Sequence, residues 1–163
     1  MFFERKPVTR AFFKSLSTAV IVTLMNGCAG MAPVKSEIPH VQSDLNAKST
    51  RPNEIMLVLF NTSNKLLFGL DNTGRLNAWL DGKAIGGPNI SEYVQIQIPK
   101  ATHQLMLVHP DIFEFRTTHE IDAQDDPRFL EIRATAVSNE IQVHKSLPAA
   151  SYLPQPFTRF VHQ

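Results

Sequence analysis

From Asn53 onward the chain alternates short apolar stretches with turn-forming clusters, and no stretch sustains a helical period. This punctuation restricts the fold more than any other feature. Ile55–Phe60 (IMLVLF) is an unbroken apolar run, which suits a strand buried on both faces. Asn61-Thr62-Ser63-Asn64 follows as a turn cluster, Lys65–Leu70 is a weaker strand candidate, and Asp71-Asn72-Thr73-Gly74 is a second turn. Asp81-Gly82 lies between Leu76–Leu80 and Lys83–Ile85, and Asp-Gly flanked by apolar residues is a strong hairpin signal. Gly86-Gly87-Pro88 then breaks the chain.

The clearest alternation is Tyr93–Ile98, with Val94, Ile96 and Ile98 on one side and Tyr93, Gln95 and Gln97 on the other. A short connection leads into His103–His109, and Ile112–Ile121 is a mixed strand carrying Phe113, Phe115 and Thr117 on one side. Leu130, Ile132, Ala134 and Ala136 alternate within Phe129–Val137, and Ile141–Val143 follows a Ser-Asn break. A short helix is admissible near Asp122–Phe129, and the terminal FTRFV could add an edge strand. Seven to eight short strands at this spacing predict an all-β domain, an antiparallel β-sandwich or small barrel.

The first thirty residues have a different organisation. Met1–Lys14 is basic, Leu16–Met25 is apolar or small, and Gly27-Cys28 follows. About 20 apolar residues are needed to span a bilayer as a helix, and this stretch is far shorter. Basic flank, short apolar helix and small residue together read as a signal peptide. Residues 29–52 are polar and interrupted by Pro33, Pro39 and Pro52, as expected of a flexible linker. The expected organisation is therefore 1–27 signal peptide, 28–52 linker, 53–147 sandwich and 148–163 a proline-rich tail. A core of roughly 95 to 110 residues is enough for one small domain.

The charge follows the same division. Residues 1–27 hold four of the 16 basic residues and one of the 15 acidic ones, so the remainder is slightly acidic. A nucleic-acid binder would keep a basic patch, so nucleic acid is not expected as a partner. With 43% hydrophobic and 19% charged residues, the chain is far from a disordered composition.

Met25-Asn26-Gly27-Cys28 resembles a lipobox, the recognition site of lipoprotein signal peptidase. Gly27 fits the position before the cysteine, Met25 is an acceptable aliphatic, and Asn26 departs from the usual small residue. The resemblance implies cleavage between Gly27 and Cys28, with a covalent diacylglycerol and an N-acyl chain on Cys28. Two or more chains anchor stably where one does not. Ala29, in place of Asp, resembles the pattern of outer-membrane sorting.

Leu80-Asp81-Gly82-Lys83-Ala84-Ile85-Gly86, Ile98-Pro99 and His103 resemble a bacterial lipoprotein domain of unknown function, DUF2846. Lys100-Ala101-Thr102 departs from the glycine-containing turn of that family. The resemblance covers roughly residues 54–145, implies an Ig-like or prealbumin-like sandwich, and supplies no catalytic residue.

No catalytic or metal constellation is expected. His40, His103, His109, His119, His144 and His162 lack the close pairing of zinc ligands. Asp122, Asp125 and Asp126 lack the glycine of a calcium loop, and Pro127 closes the segment. Nucleophile-elbow, P-loop and H-E-x-x-H motifs are absent, and in a bacterial lipoprotein, as the lipobox resemblance implies, the two N-x-S/T matches at Asn61 and Asn89 are most simply chance. Trp79 and Tyr93 are the candidate contact residues for a ligand or partner. If Leu76 and Ala78 face the core, Trp79 faces outward, although covering the sheet is its simpler role. The expected function is that of a lipid-anchored, periplasm-facing outer-membrane protein, non-enzymatic and without other cofactors, serving an envelope assembly. The alternative is a binding module for a small ligand or glycan.

Overall fold

A computed structural model describes residues 32–67, 74–110, 114–148 and 158–161. Nine strands form two stacked sheets. They are β1 (Glu54–Asn61), β2 (Asn77–Leu80), β3 (Lys83–Gly86), β4 (Glu92–Pro99), β5 (Thr102–Pro110), β6 (Glu114–Asp122), β7 (Arg128–Ala134), β8 (Asn139–His144) and β9 (Thr158–Arg159). The first sheet runs β8-β7-β1-β4-β9 and the second β3-β2-β5-β6. The expected all-β sandwich is the observed one, with two parallel pairings, β1 with β7 and β4 with β9.

β1 is the central strand of the five-stranded sheet, and its apolar run is buried on both faces. Ile55, Leu57 and Leu59 enter the core between the sheets with Val94, Ile96, Leu130 and Ile132. From the four-stranded sheet Leu76, Ala78, Leu80, Leu105, Leu107 and Ile121 complete that core. On the opposite face Val58 and Phe60 pack with Phe129, and Leu45, Tyr93 and Leu147 cover them. Each large side chain so buried removes on the order of 1.5–3 kcal/mol of exposure cost from the folded state.

The Asp-Gly turn between β2 and β3 takes the form a two-residue hairpin demands. Asp81 and Gly82 both have positive φ, at 48° and 80°, matching the twist of the flanking strands. The terminal FTRFV does supply an edge strand, β9.

Three expectations change. Lys65–Leu67 forms a single 3-10 turn rather than a strand, because the Asn64 side chain accepts the Leu66 amide at 3.0 Å and curls the chain. Residues 68–70 lie outside the described residues. The segment Asp122–Phe129 is not helical: a bend with a cis Asp126–Pro127 bond leads straight into β7. Most consequentially, residues 34–49, expected as flexible linker, are fastened to both sheets.

This strap begins where the Val34 amide donates to Asn77 Oδ1 at 3.3 Å. The Glu37 amide then donates to the Ala84 carbonyl, while the Ala84 amide donates to the Glu37 carboxylate at 3.0 Å. His40 donates to the Ile85 carbonyl at 2.8 Å and bridges to Ile96. The strap thus satisfies the open edge of β3 and then crosses to β4. There the Val41 amide donates to the Gln95 carbonyl, and the segment lies along the outer face of the five-stranded sheet.

Replacing Leu57 with Ala is expected to cost about 2–5 kcal/mol, since the core around it cannot fully collapse. Leu66→Ala should be near neutral because that side chain is 89% exposed. Urea unfolding of the two variants checks this, and equal midpoints would contradict the assigned core.

Candidate functional site

Most polar side chains with potential chemistry are engaged with the protein's own backbone. Their arrangement defines three nodes.

The first node lies beside the Asp-Gly turn. Asp81 Oδ1 accepts the Gln104 amide at 2.9 Å, and Oδ2 accepts His103 Nδ1 at 2.6 Å. An aspartate on one histidine nitrogen is the orienting half of a catalytic pair, provided the other nitrogen faces substrate. Here Nε2 of the buried His103 faces the Pro99 carbonyl at 2.9 Å. The ring therefore ties the β2–β3 hairpin to the β4–β5 connection and presents no nitrogen outward. Burial raises the Asp81 carboxyl, but the Gln104 amide, the His103 hydrogen bond and the charges of His103 and Lys83 outweigh it. The group is held below its ordinary value. Asp81 and His103 also line an open cleft of about 380 Å³ with Glu37, Lys83 and Gln97.

The second node fastens the strap. Gln95, fully buried on the outward side of β4, donates to Ser43 Oγ at 3.0 Å and to the Asp44 carbonyl at 3.2 Å. Arg159 of β9 donates to Gln95 Oε1 at 2.7 Å and to the Val41 carbonyl, and its guanidinium lies over the Tyr93 ring, 5.3 Å from the centroid. Further along, Gln97 donates to Ser49 Oγ at 2.6 Å. Asp126 accepts the Ser49 and Met56 amides, both at 2.8 Å, so one carboxylate pins the strap to the start of β1.

The third node closes the other side of the sandwich. Buried Asn139 at the start of β8 donates to the Leu107 and Phe115 carbonyls at 3.1 and 3.0 Å. Its Oδ1 accepts His109 Nδ1 at 2.5 Å, and its carbonyl accepts His119 Nε2 at 3.0 Å. His109 stacks on Phe115 with centroids 4.9 Å apart.

The described histidines are therefore dispersed: His40 on the strap, His103 in the first node, His109 and His119 in the third, and His144 against Glu131 at 2.9 Å on the outer face of β7 and β8. Among the described residues, no group of three His, Cys, Asp or Glu gathers into a possible metal site. Asp125 pairs with Arg128 at 2.9 Å, while Asp126 serves the strap.

The two contact candidates are not brought together. Trp79 lies on the outer face of the four-stranded sheet, its register partners being Ala84 and Met106. Leu76 and Ala78 face the core, and Trp79 is half-buried at the surface. Tyr93 belongs to the opposite sheet, under the Arg159 guanidinium and beside Leu45. Gly27, Cys28, Tyr152 and His162 lie outside the described residues.

Sequence reasoning missed Gln95, Asp126 and Asn139. A glutamine in an alternating strand reads as solvent-facing, and an aspartate before proline reads as a turn. The available signal was indirect: a central strand apolar on both faces needs a second cover. No family model, curated protein or solved structure matches the chain.

Because the Asp81 carboxyl lies lower in the folded state than in the unfolded chain, it stabilises the fold above the ordinary aspartate range. That contribution is lost as pH falls through the lowered value. Asp81→Asn is expected to flatten the acid limb of the stability profile, read as melting midpoints from neutral pH downward. Profiles that stay parallel would remove Asp81 from that role. Asp126→Ala is expected to cost about 1–3 kcal/mol, since two backbone amides lose their acceptor, and to raise hydrogen exchange at Ser49 and Met56.

Proposed function

We propose that this chain is a lipid-anchored bacterial cell-envelope protein, facing the periplasm from the outer membrane, that serves as a non-enzymatic accessory or structural subunit. The observation that carries the reading is the strap. A chain held at the membrane through Cys28 would pass its load into a segment hydrogen-bonded to both sheets, not into a loose tail. The side chains capable of chemistry reinforce that attachment: Glu37, Gln95, Asp126 and Arg159 all fasten the strap.

A subunit also needs a docking edge. Of the other edge strands, the two-residue β9 is too short, the strap covers β3, and β8 has only six residues. β6 runs for nine residues at the edge of its sheet, with exposed Arg116, Thr118, Glu120 and Asp122 along its outward face. Edges of this kind take partner strands by main-chain hydrogen bonding, with the side chains setting specificity. The reading as a module for a small ligand or glycan now rests on Trp79, because Tyr93 lies under Arg159.

Cys28→Ser is expected to block acylation and processing, mislocalising the protein without lowering the melting midpoint of the sandwich. Wild-type mass and wild-type outer-membrane fractionation of that variant would defeat the anchor. Gentle detergent extraction followed by mass spectrometry should recover stoichiometric envelope partners, and charge reversal at Arg116 and Glu120 should release them. Recovery of the chain alone would defeat the subunit reading.

A further inference from the structure

We infer that the end of the sandwich bearing Leu66 and Val137 rests on the bilayer that holds Cys28. The inference rests on the lipid-anchor reading and adds to it an orientation and a contact surface.

The argument starts from chain length. The strap is held to a strand at Val34, whose amide donates to Asn77 at the beginning of β2. Five residues separate Val34 from Cys28, and the six residue-to-residue steps so spanned reach at most about 22 Å when fully extended. A linker running to residue 52 would let the domain tumble well away from the lipid. With the strap in place, the Val34 end of the fold cannot leave the surface by more than that short reach.

A continuous set of bonds identifies what lies at that end. Asn61, the last residue of β1, donates to the Gly74 and Pro88 carbonyls at 2.8 and 3.0 Å. The Leu76 amide, next to Asn77, also donates to Pro88. The Ala134 amide, at the end of β7, donates to Ser63 Oγ at 2.8 Å. The β7–β8 turn, closed by Thr135 and Ser138, carries Val137, and the 3-10 turn after Asn64 carries Leu66. Leu66 is 89% and Val137 77% exposed, the two most exposed large hydrophobic side chains among the described residues. Both project at the end from which the anchor-bearing segment departs.

The charges at this end suit an anionic surface. Lys65, next to Leu66 in the chain, and Lys35, next to the Val34 attachment, are exposed at this end, and basic residues near a leaflet are drawn to anionic lipid. Among the described residues of this end, Glu114 pairs with Arg116 at 2.7 Å, Glu140 with Arg133 at 2.6 Å, and Glu92 accepts the Asn89 amide at 2.8 Å. Two apolar side chains would not hold a free protein at a membrane. Tethering raises their effective concentration at the surface, so a contact too weak to recruit the protein can still orient it.

The test uses the full-length acylated protein in vesicles of phosphatidylethanolamine and phosphatidylglycerol. Single cysteines replace Leu66 and Val137, with Lys83 and Asp122 at the opposite end as controls, each labelled with an environment-sensitive fluorophore. Labels at 66 and 137 should shift to the blue, resist aqueous iodide and be quenched by nitroxide-bearing lipid. Labels at 83 and 122 should show the reverse. Equal iodide access at all four sites, in protein whose Cys28 peptide carries the lipid mass, would overturn the orientation while leaving the anchor intact. A Cys28 peptide without lipid, in protein that does not float with vesicles, would instead overturn the anchor reading, and the orientation with it.

Discussion

Burial of β1 on both faces is the constraint from which the remaining architecture follows. A two-sheet sandwich supplies one apolar neighbour for each sheet. Ile55, Leu57 and Leu59 find it in the second sheet, but Val58 and Phe60 point away from that core. Something else must cover them, because leaving such side chains in water removes a large part of the driving force for folding. The strap and the residues around Leu147 supply that cover. Laying the strap there brings backbone polar groups onto a sheet face that has no ladder to receive them. Gln95 at the Asp44 carbonyl, Asp126 at the Ser49 amide and Arg159 at the Val41 carbonyl provide the missing partners, as buried backbone groups require.

The same logic explains how much was readable in the amino-acid order. Strand alternation and Asp-Gly are local signals, so β2, β3, β4 and β7 and their core-facing residues were legible. The unbroken run of β1 announced a doubly buried strand. Its second cover was not legible, because residues 34–49 attach through isolated backbone bonds and carry no periodic pattern. Val34, Glu37, His40 and Val41 each bond to a different place, and Pro39 with the flanking Pro33 and Pro52 reads as linker. Gln95 illustrates the difficulty within a strand. Its position in the alternation correctly assigns it to the outer face, yet that face is buried and its amide is a fastening point. The pairing of His103 with Asp81 was likewise invisible, since register rather than spacing brings positions 22 apart into contact.

The candidate site changes character once these bonds are in place. An aspartate–histidine pair beside a cleft would suggest proton transfer if the ring had an outward nitrogen. The Pro99 carbonyl occupies that position, and the pair becomes a lock between two turns. Asn139 performs a parallel service on the other side, joining β8 to β5 and β6 through both its amide and its carbonyl. Each side of the sandwich is therefore closed by a polar node, and each node draws on residues that in isolation resemble ligands or catalysts. Buried hydrogen-bond networks of this kind rigidify a fold and select one packing.

On the proposed reading, rigidity would matter at a surface. A loose linker would decouple the sandwich from a lipid on Cys28, and the orientation of any docking edge would be averaged over all directions. Building residues 34–49 into the sheets would restrict that averaging, because only five residues lie between Cys28 and Val34. The strand axes and β6 would then be presented in a restricted range of directions relative to the membrane, and an incoming strand would meet an edge already oriented for it. The entropy of orienting the domain would be lost on anchoring, before a partner arrives, which is the condition under which a modest edge contact can be selective.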